Sequence, residues 1–230
     1  MPDIADRIIS FYKNLSFTAQ LPGGIRIMNP LQEDRQVKLI MKEFYKKYFS
    51  DIDKRVAIIG INPGRLGGGL TGIPFTDPKR LKSECGIAYK GNPAHETSSA
   101  FIYEMIKAYG GPQIFYKKFY ITAVCPLGFT LVHDDRKEVN YNYYDKPELI
   151  KAAAPFIKSC MEQQFSIIKR AEVICLGKGK NEKFLSDLNK KEKYFNKITA
   201  LEHPRFIMQY HVKDKNKYIE KYLRAFEEIS

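Results

Sequence analysis

A chain of 230 residues with 44% hydrophobic and 13% aromatic side chains is long enough to bury one sizeable core, so residues 1–230 are expected to form a single domain. No run approaches the roughly 18 apolar residues of a membrane span, and Met1-Pro2-Asp3-Ile4-Ala5-Asp6-Arg7 lacks the charge order and apolar run of a signal peptide, so a cytoplasmic protein with no membrane partner is expected. The formal charge of +12 and pI near 9.4 would attract a polyanion, nucleic acid first, because phosphate binding releases condensed counterions; charge alone does not decide the matter.

In chain order, Val37, Ile40, Met41, Phe44, Tyr45 and Tyr48 are spaced to put one apolar stripe on a helix over 33–49. Residues 55–62 read as a strand whose run Val56-Ala57-Ile58-Ile59 suits burial on both faces. A long irregular connection over 64–93 follows, of the kind that is often functional. Phe101, Met105, Ile106 and Tyr109 then mark a helix after the capping candidates Thr97-Ser98-Ser99. Residues 119–125 read as a second strand. Phe156, Ile157, Cys160, Met161, Phe165 and Ile168 form another helical stripe, strands are predicted over 172–177 and 198–203, and Ile219, Tyr222, Leu223 and Phe226 close the chain. The pattern predicts an α/β fold, a three-layer α/β/α sandwich around a central, mostly parallel four-stranded sheet.

Cys85, Cys125, Cys160 and Cys175 lie far apart with no CxxC pair, so neither a zinc ribbon nor a close-set iron–sulfur ligand group is written here. Buried reduced thiols are expected, with no metal and no cofactor. A cluster ligated by all four, gathered by folding, is the alternative.

Three residue clusters fall at predicted strand ends, where an open α/β sheet binds ligands. The first runs Gly60-Ile61-Asn62-Pro63-Gly64-Arg65-Leu66-Gly67-Gly68-Gly69-Leu70-Thr71-Gly72-Ile73-Pro74-Phe75; its glycines allow close approach to a ligand, without forming a GxGxxG or Walker pattern. The second is Glu202-His203-Pro204-Arg205-Phe206, and the third Tyr120-Ile121-Thr122-Ala123-Val124-Cys125-Pro126-Leu127-Gly128-Phe129, read as a strand end opening into a loop. Together they would make one rim with Asn62 and His203 on opposite flanks. Each also has a plain structural reading: Asn62 as a turn cap, Phe75 as core, His203 as partner of a backbone carbonyl.

These residues resemble the uracil-DNA glycosylase superfamily, above all its single-strand-selective monofunctional branch. Gly60-Ile61-Asn62-Pro63-Gly64 followed by Thr71-Gly72-Ile73-Pro74-Phe75 is similar to that branch's water-activating motif and base-stacking aromatic; His203-Pro204 is similar to its second motif, Cys125-Pro126-Leu127 to the segment after its base-reading strand, and Asn29-Pro30-Leu31 to its N-terminal region. The resemblance implies a monomeric DNA glycosylase of base-excision repair acting on single- or double-stranded DNA that contains a deaminated base. Asn62 would position the attacking water and His203 would donate to the base oxygen as charge develops. Phe75 would stack on the flipped base beside Ile61, Gly64 and Ala123, and Arg65, Gly67, Gly68, Pro204, Arg205 and Phe206 would meet DNA. An amide holds water through a donor and an acceptor but is a poor proton acceptor, which favours dissociative cleavage with late addition of water.

The branch carries an asparagine where this chain has Ala123, two residues before Cys125-Pro126-Leu127, and a methyl group cannot read an imide edge. A wider pocket admitting xanthine or hypoxanthine beside uracil is therefore expected. Arg205 also replaces a small residue after His-Pro, in a loop that reads as shortened, leaving Arg205 or Phe206 as the wedge. Lys178, Lys180, Lys183, Lys190, Lys191, Lys193 and Lys197 offer phosphate contacts or a solvated face. Two rivals stand beside this reading: a non-catalytic damaged-DNA or nucleic-acid binder that keeps the fold, and a nucleotide-binding hydrolase that uses the glycine-rich loop.

Overall fold

The computed structural model describes residues 2–91, 93–134 and 137–229. Helix α1 (Ile4–Lys13) is capped by the Asp3 carboxylate, which accepts from the Asp6 amide. Strand β1 (Ile25–Met28) and a single turn, α2 (Pro30–Glu33), lead to α3 (Arg35–Tyr48), whose predicted stripe is buried. Buried Arg55 then pairs with Asp51 at 2.6 Å and donates to the Tyr116 carbonyl, fixing the start of β2 (Val56–Gly60).

Beyond β2 come α4 (Gly68–Thr71), α5 (Pro78–Cys85), α6 (Thr97–Ala108) and α7 (Pro112–Lys118), followed by β3 (Phe119–Ala123), β4 (Gly128–Val132) and β5 (Glu138–Tyr141). The chain continues through α8 (Pro147–Gln163), β6 (Glu172–Leu176), α9 (Lys180–Glu192), β7 (Lys197–Leu201), α10 (Pro204–Tyr210) and α11 (Lys215–Glu227).

The central sheet has the order β3-β2-β6-β7, and all three pairings are parallel. Every residue of β2 and β3 is buried, as the continuous apolar runs require of strands covered by helices on both faces. The four predicted strands are these four, each shortened or shifted by a residue or two at its ends. Because β2 connects to β3 on one side while β6 and β7 extend the other, a crevice opens at the carboxyl ends of β2 and β6.

Two sequence expectations are corrected. The connection over 64–93 is not wholly irregular, since α4 and α5 lie within it: Asp77 caps α5 by accepting from the Arg80 amide, and Pro78 stands at its first position. The segment after Cys125-Pro126-Leu127 is not an open loop. It turns at once into β4, which pairs antiparallel with β1 and β5 in a separate three-stranded sheet. All four cysteines are buried and free, and among the described residues no three His, Cys, Asp or Glu side chains gather to hold a metal ion. No described helix is long and apolar enough to cross a membrane.

Candidate active site

A cavity of about 750 Å³ opens at the carboxyl end of the parallel sheet, a size that suits a small organic ligand. All three strand-end clusters reach it: Gly60 to Gly64 with Phe75, Thr122 with Ala123, and Glu202, His203, Arg205 and Phe206.

Asn62 follows β2 by two residues, and both ends of its amide are held. Its Oδ1 accepts from the Tyr143 N–H at 3.1 Å and its Nδ2 donates to the Tyr141 carbonyl at 3.2 Å. Only one orientation of the amide satisfies a donor and an acceptor in this way, so the side chain is locked with one lone pair left over and its second N–H reaching the Pro63 carbonyl only at 3.5 Å. The clamp is itself anchored: the buried Tyr143 hydroxyl donates to Asn181 Oδ1 at 2.9 Å, and Asn181 Nδ2 donates to the carbonyls of Leu176 and Gly60. The tips of β2 and β6 are thereby tied to the segment that holds Asn62.

Phe75 reaches the cavity from a tight turn. Buried Thr71 Oγ1 donates to the Thr76 carbonyl at 2.7 Å and accepts from the Ile73 amide, closing the Thr71-Gly72-Ile73-Pro74-Phe75 segment on itself. Phe75 has φ +52°, a left-handed conformation that costs a side-chain-bearing residue about 1 to 3 kcal/mol and tends to persist where surrounding structure fixes it for function. Its ring lies so close to β2 that a Cβ on Gly60 would stand 2.8 Å from Phe75 Cε2. Glycine ends the strand because the ring occupies that space.

His203 leaves β7 and caps α10, its Nδ1 accepting from the Arg205 amide at 3.1 Å. An accepting Nδ1 puts the single proton of a neutral imidazole on Nε2. Burial, assisted by the nearby Arg205 guanidinium, pulls the His203 pKa down to about 4, so the ring is neutral at physiological pH. It packs at 5.5 Å against Phe75.

Ile61, Gly64, Ala123, Arg205 and Phe206 line the same cavity as Asn62, Phe75 and His203. Arg65 is exposed outside it, with its amide held by Asn140 Oδ1 at 2.9 Å. Gly67, Gly68 and Pro204, expected to meet DNA, are all buried, Gly68 against Pro63 and Ile73, Pro204 at the first position of α10. They do not line the cavity and present little surface to a polymer. The lysine group is partly spent on ion pairs, Lys178 with Glu202 and Lys197 with Glu172.

Several lining residues were not singled out by sequence, among them Glu96, Asn140, Asn142, Tyr144 and the Tyr210, His211 and Tyr218 that extend Phe206 into an aromatic ledge. Spacing of aromatics on α10 was the one available signal for the ledge. Asn140, Asn142 and Tyr144 belong to β5 and its exit, which lack a strong local pattern.

This sheet, with a strand-tip amide, a neutral imidazole and an aromatic face on one cavity, places the protein in the uracil DNA glycosylase superfamily, and the family model matches residues 46–227; the chain belongs to that superfamily. It is a monofunctional DNA glycosylase, a hydrolase of DNA repair, which sets aside the non-catalytic alternative. The crystal structure of wild-type SMUG2 from Pedobacter heparinus is similar to it, with a TM-score of 0.97 and 54% sequence identity, covering 100% of this chain and 99% of that one. No curated protein matches the chain.

Proposed function

We propose that residues 1–230 work as one monomeric glycosylase domain that takes a deaminated base out of DNA into the cavity and hydrolyses its N-glycosidic bond. The observation that carries this reading is the pairing of a clamped amide at the tip of β2 with a neutral, Nε2-protonated imidazole at the tip of β7 on one cavity. Asn62 holds the water through its remaining lone pair and the N–H that is bound only weakly, at 3.5 Å, to the Pro63 carbonyl. Because an amide takes up a proton poorly, the bond breaks first, the base leaves with negative charge on its oxygen, and His203 Nε2–H meets that charge. Ile61, Gly64 and Ala123 border the base, while Arg65, Arg205 and Phe206 face the DNA strand.

Ala123 shapes the substrate range. Its methyl group offers no hydrogen bond and removes the bulk of an amide, so uracil shares the pocket with the larger xanthine and hypoxanthine. A panel of single-lesion oligonucleotides, single- and double-stranded, assayed in EDTA, tests this. Abasic product from uracil and from at least one deaminated purine is expected; cleavage confined to uracil removes the purine part, and no product from any lesion removes the whole reading.

Stacking on Phe75 would return roughly 1 to 3 kcal/mol of the cost of unstacking the base. Phe75→Ala is therefore expected to slow single-turnover excision by about tenfold or more while leaving total DNA affinity within a few fold, since phosphate contacts supply most nonspecific binding. Gly60→Ala, by pushing the ring aside, should give a weaker form of the same split. Equal losses in rate and affinity would remove Phe75 from the stacking role.

A further inference from the structure

The polar edge of the base lacks a reader among the residues assigned so far. Ala123 has no polar side-chain atom, and the neighbouring Thr122 hydroxyl donates to buried Gln164 Oε1 at 2.7 Å. Glu96, at the start of α6, lines the same cavity. Its carboxyl oxygens make no hydrogen bond to any described residue, whereas its backbone N–H is held by Asp77 Oδ2 at 2.7 Å. The carboxyl lies against the loop after Asn62: a Cβ on Gly64 would stand 2.6 Å from Glu96 Oε1, and one on Gly67 would collide with Oε2. Two glycines thus make room for one unpartnered carboxyl beside the clamped amide.

We propose that Glu96 is a specificity-determining residue that reads the imide edge of the extruded base. The inference rests on the excision reading above. A protonated carboxyl carries one O–H donor and one carbonyl acceptor, the same pair as the amide missing at position 123. That pair complements a C=O beside an N–H, the unit shared by uracil and xanthine. The ionised carboxylate only accepts, so it still meets the N–H but turns lone pairs toward the base carbonyl.

The surroundings favour the protonated form near neutrality. Burial pushes the Glu96 pKa up to about 7, the Asp77 carboxylate pushes in the same direction, and the Arg205 guanidinium opposes them. Asp77 is itself engaged by Arg80 at 3.2 Å and lies 3.5 Å from His95. The other charged groups on the cavity wall, Lys178 and Glu202, pair with each other at 3.1 Å, and His203 is neutral. A raised pKa means the donor is present below about 7 and is lost as pH rises through it.

The test is single-turnover uracil excision from a single-stranded oligonucleotide between about pH 5.5 and 8.5, comparing wild type with Glu96→Gln and Glu96→Ala. The wild-type rate is expected to fall by about tenfold across neutrality, the worth of one hydrogen bond. Glu96→Gln keeps a donor and an acceptor at all these pH values, so its profile is flat and close to the low-pH wild type. Glu96→Ala is flat and slower by about tenfold or more. A Glu96→Gln profile that falls as the wild type does, or a Glu96→Ala enzyme with wild-type rate and profile, overturns the inference while leaving excision standing. Wild type without product on any lesion overturns excision itself, and this inference with it.

Discussion

Replacing His203 by alanine is expected to slow base excision by about 10²- to 10³-fold, equivalent to about 3 to 4 kcal/mol of barrier, the usual cost of removing one preorganised donor from a developing oxyanion. The imidazole is suited to that task by three features that arise together. It caps α10 through Nδ1, which forces the proton onto Nε2; it is half-buried in the cavity wall beside the Arg205 guanidinium, which keeps it neutral; and it packs on Phe75, which fixes the ring. The cap has its own energy, and its loss costs about 1 kcal/mol of stability. His203→Asn separates the two roles, because an asparagine caps a helix but does not reach as far as Nε2. Rates measured under single-turnover conditions should drop for both variants, with thermal stability lowered mainly in alanine. If His203→Asn excises as fast as wild type, the donor assignment is wrong.

The depressed His203 pKa also fixes how acid acts. Between the ordinary value of 6.5 and about 4 the unfolded chain binds a proton that the folded chain refuses, so stability falls as pH drops through that window. The imidazole stays neutral until pH approaches about 4, and its Nε2–H donor stays in place. Titration of His203 therefore adds nothing to the rate profile near neutrality, where Glu96 changes charge.

The parallel sheet was legible because its strands are buried on both faces and spell uninterrupted apolar runs, as in Val56-Ala57-Ile58-Ile59 and Val173-Ile174-Cys175-Leu176. The antiparallel sheet was not. Ile25–Met28 and Glu138–Tyr141 are four residues each and partly exposed, and they acquire their strand character only by pairing with β4 on either side. The same holds at the site. Asn62, Phe75 and His203 stood out because a motif and a strand end coincide at each, whereas the groups that hold Asn62 in position, Tyr141 and Tyr143, sit at the end of a strand that no local signal marks. Glu96 carries no motif in the sequence; the expected Thr97-Ser98-Ser99 cap lies inside α6, and Glu96 itself takes the N-cap position. What encloses its carboxyl in part is Gly64 and Gly67 folding against it from the other side of the loop, a contact that exists only in three dimensions.

That arrangement determines the second large effect. Asn62→Ala removes both the water-holding amide and the partner of the Tyr141 carbonyl and Tyr143 amide, and a loss of about 10²-fold or more in excision rate is expected, in line with deleting a group that positions a reactant. The orphaned backbone groups add about 1 to 3 kcal/mol of instability wherever water does not replace the side chain. Asn62→Asp is the sharper variant. An aspartate would seem the better base for water, yet one of its oxygens must take the place of Nδ2, which now donates to the Tyr141 carbonyl. Two acceptors would then face each other, and the carboxylate would swing away or take up a proton. With bond cleavage preceding water attack, the gain in basicity has little to act on. Asn62→Asp is expected to remain slower than wild type near neutral pH and to recover activity, if at all, only toward acid, where a protonated aspartate can donate to the Tyr141 carbonyl again. An aspartate variant faster than wild type at pH values near neutrality, measured by single-turnover release of uracil, would show that proton removal from water limits the reaction and that the order of steps proposed for this site is reversed.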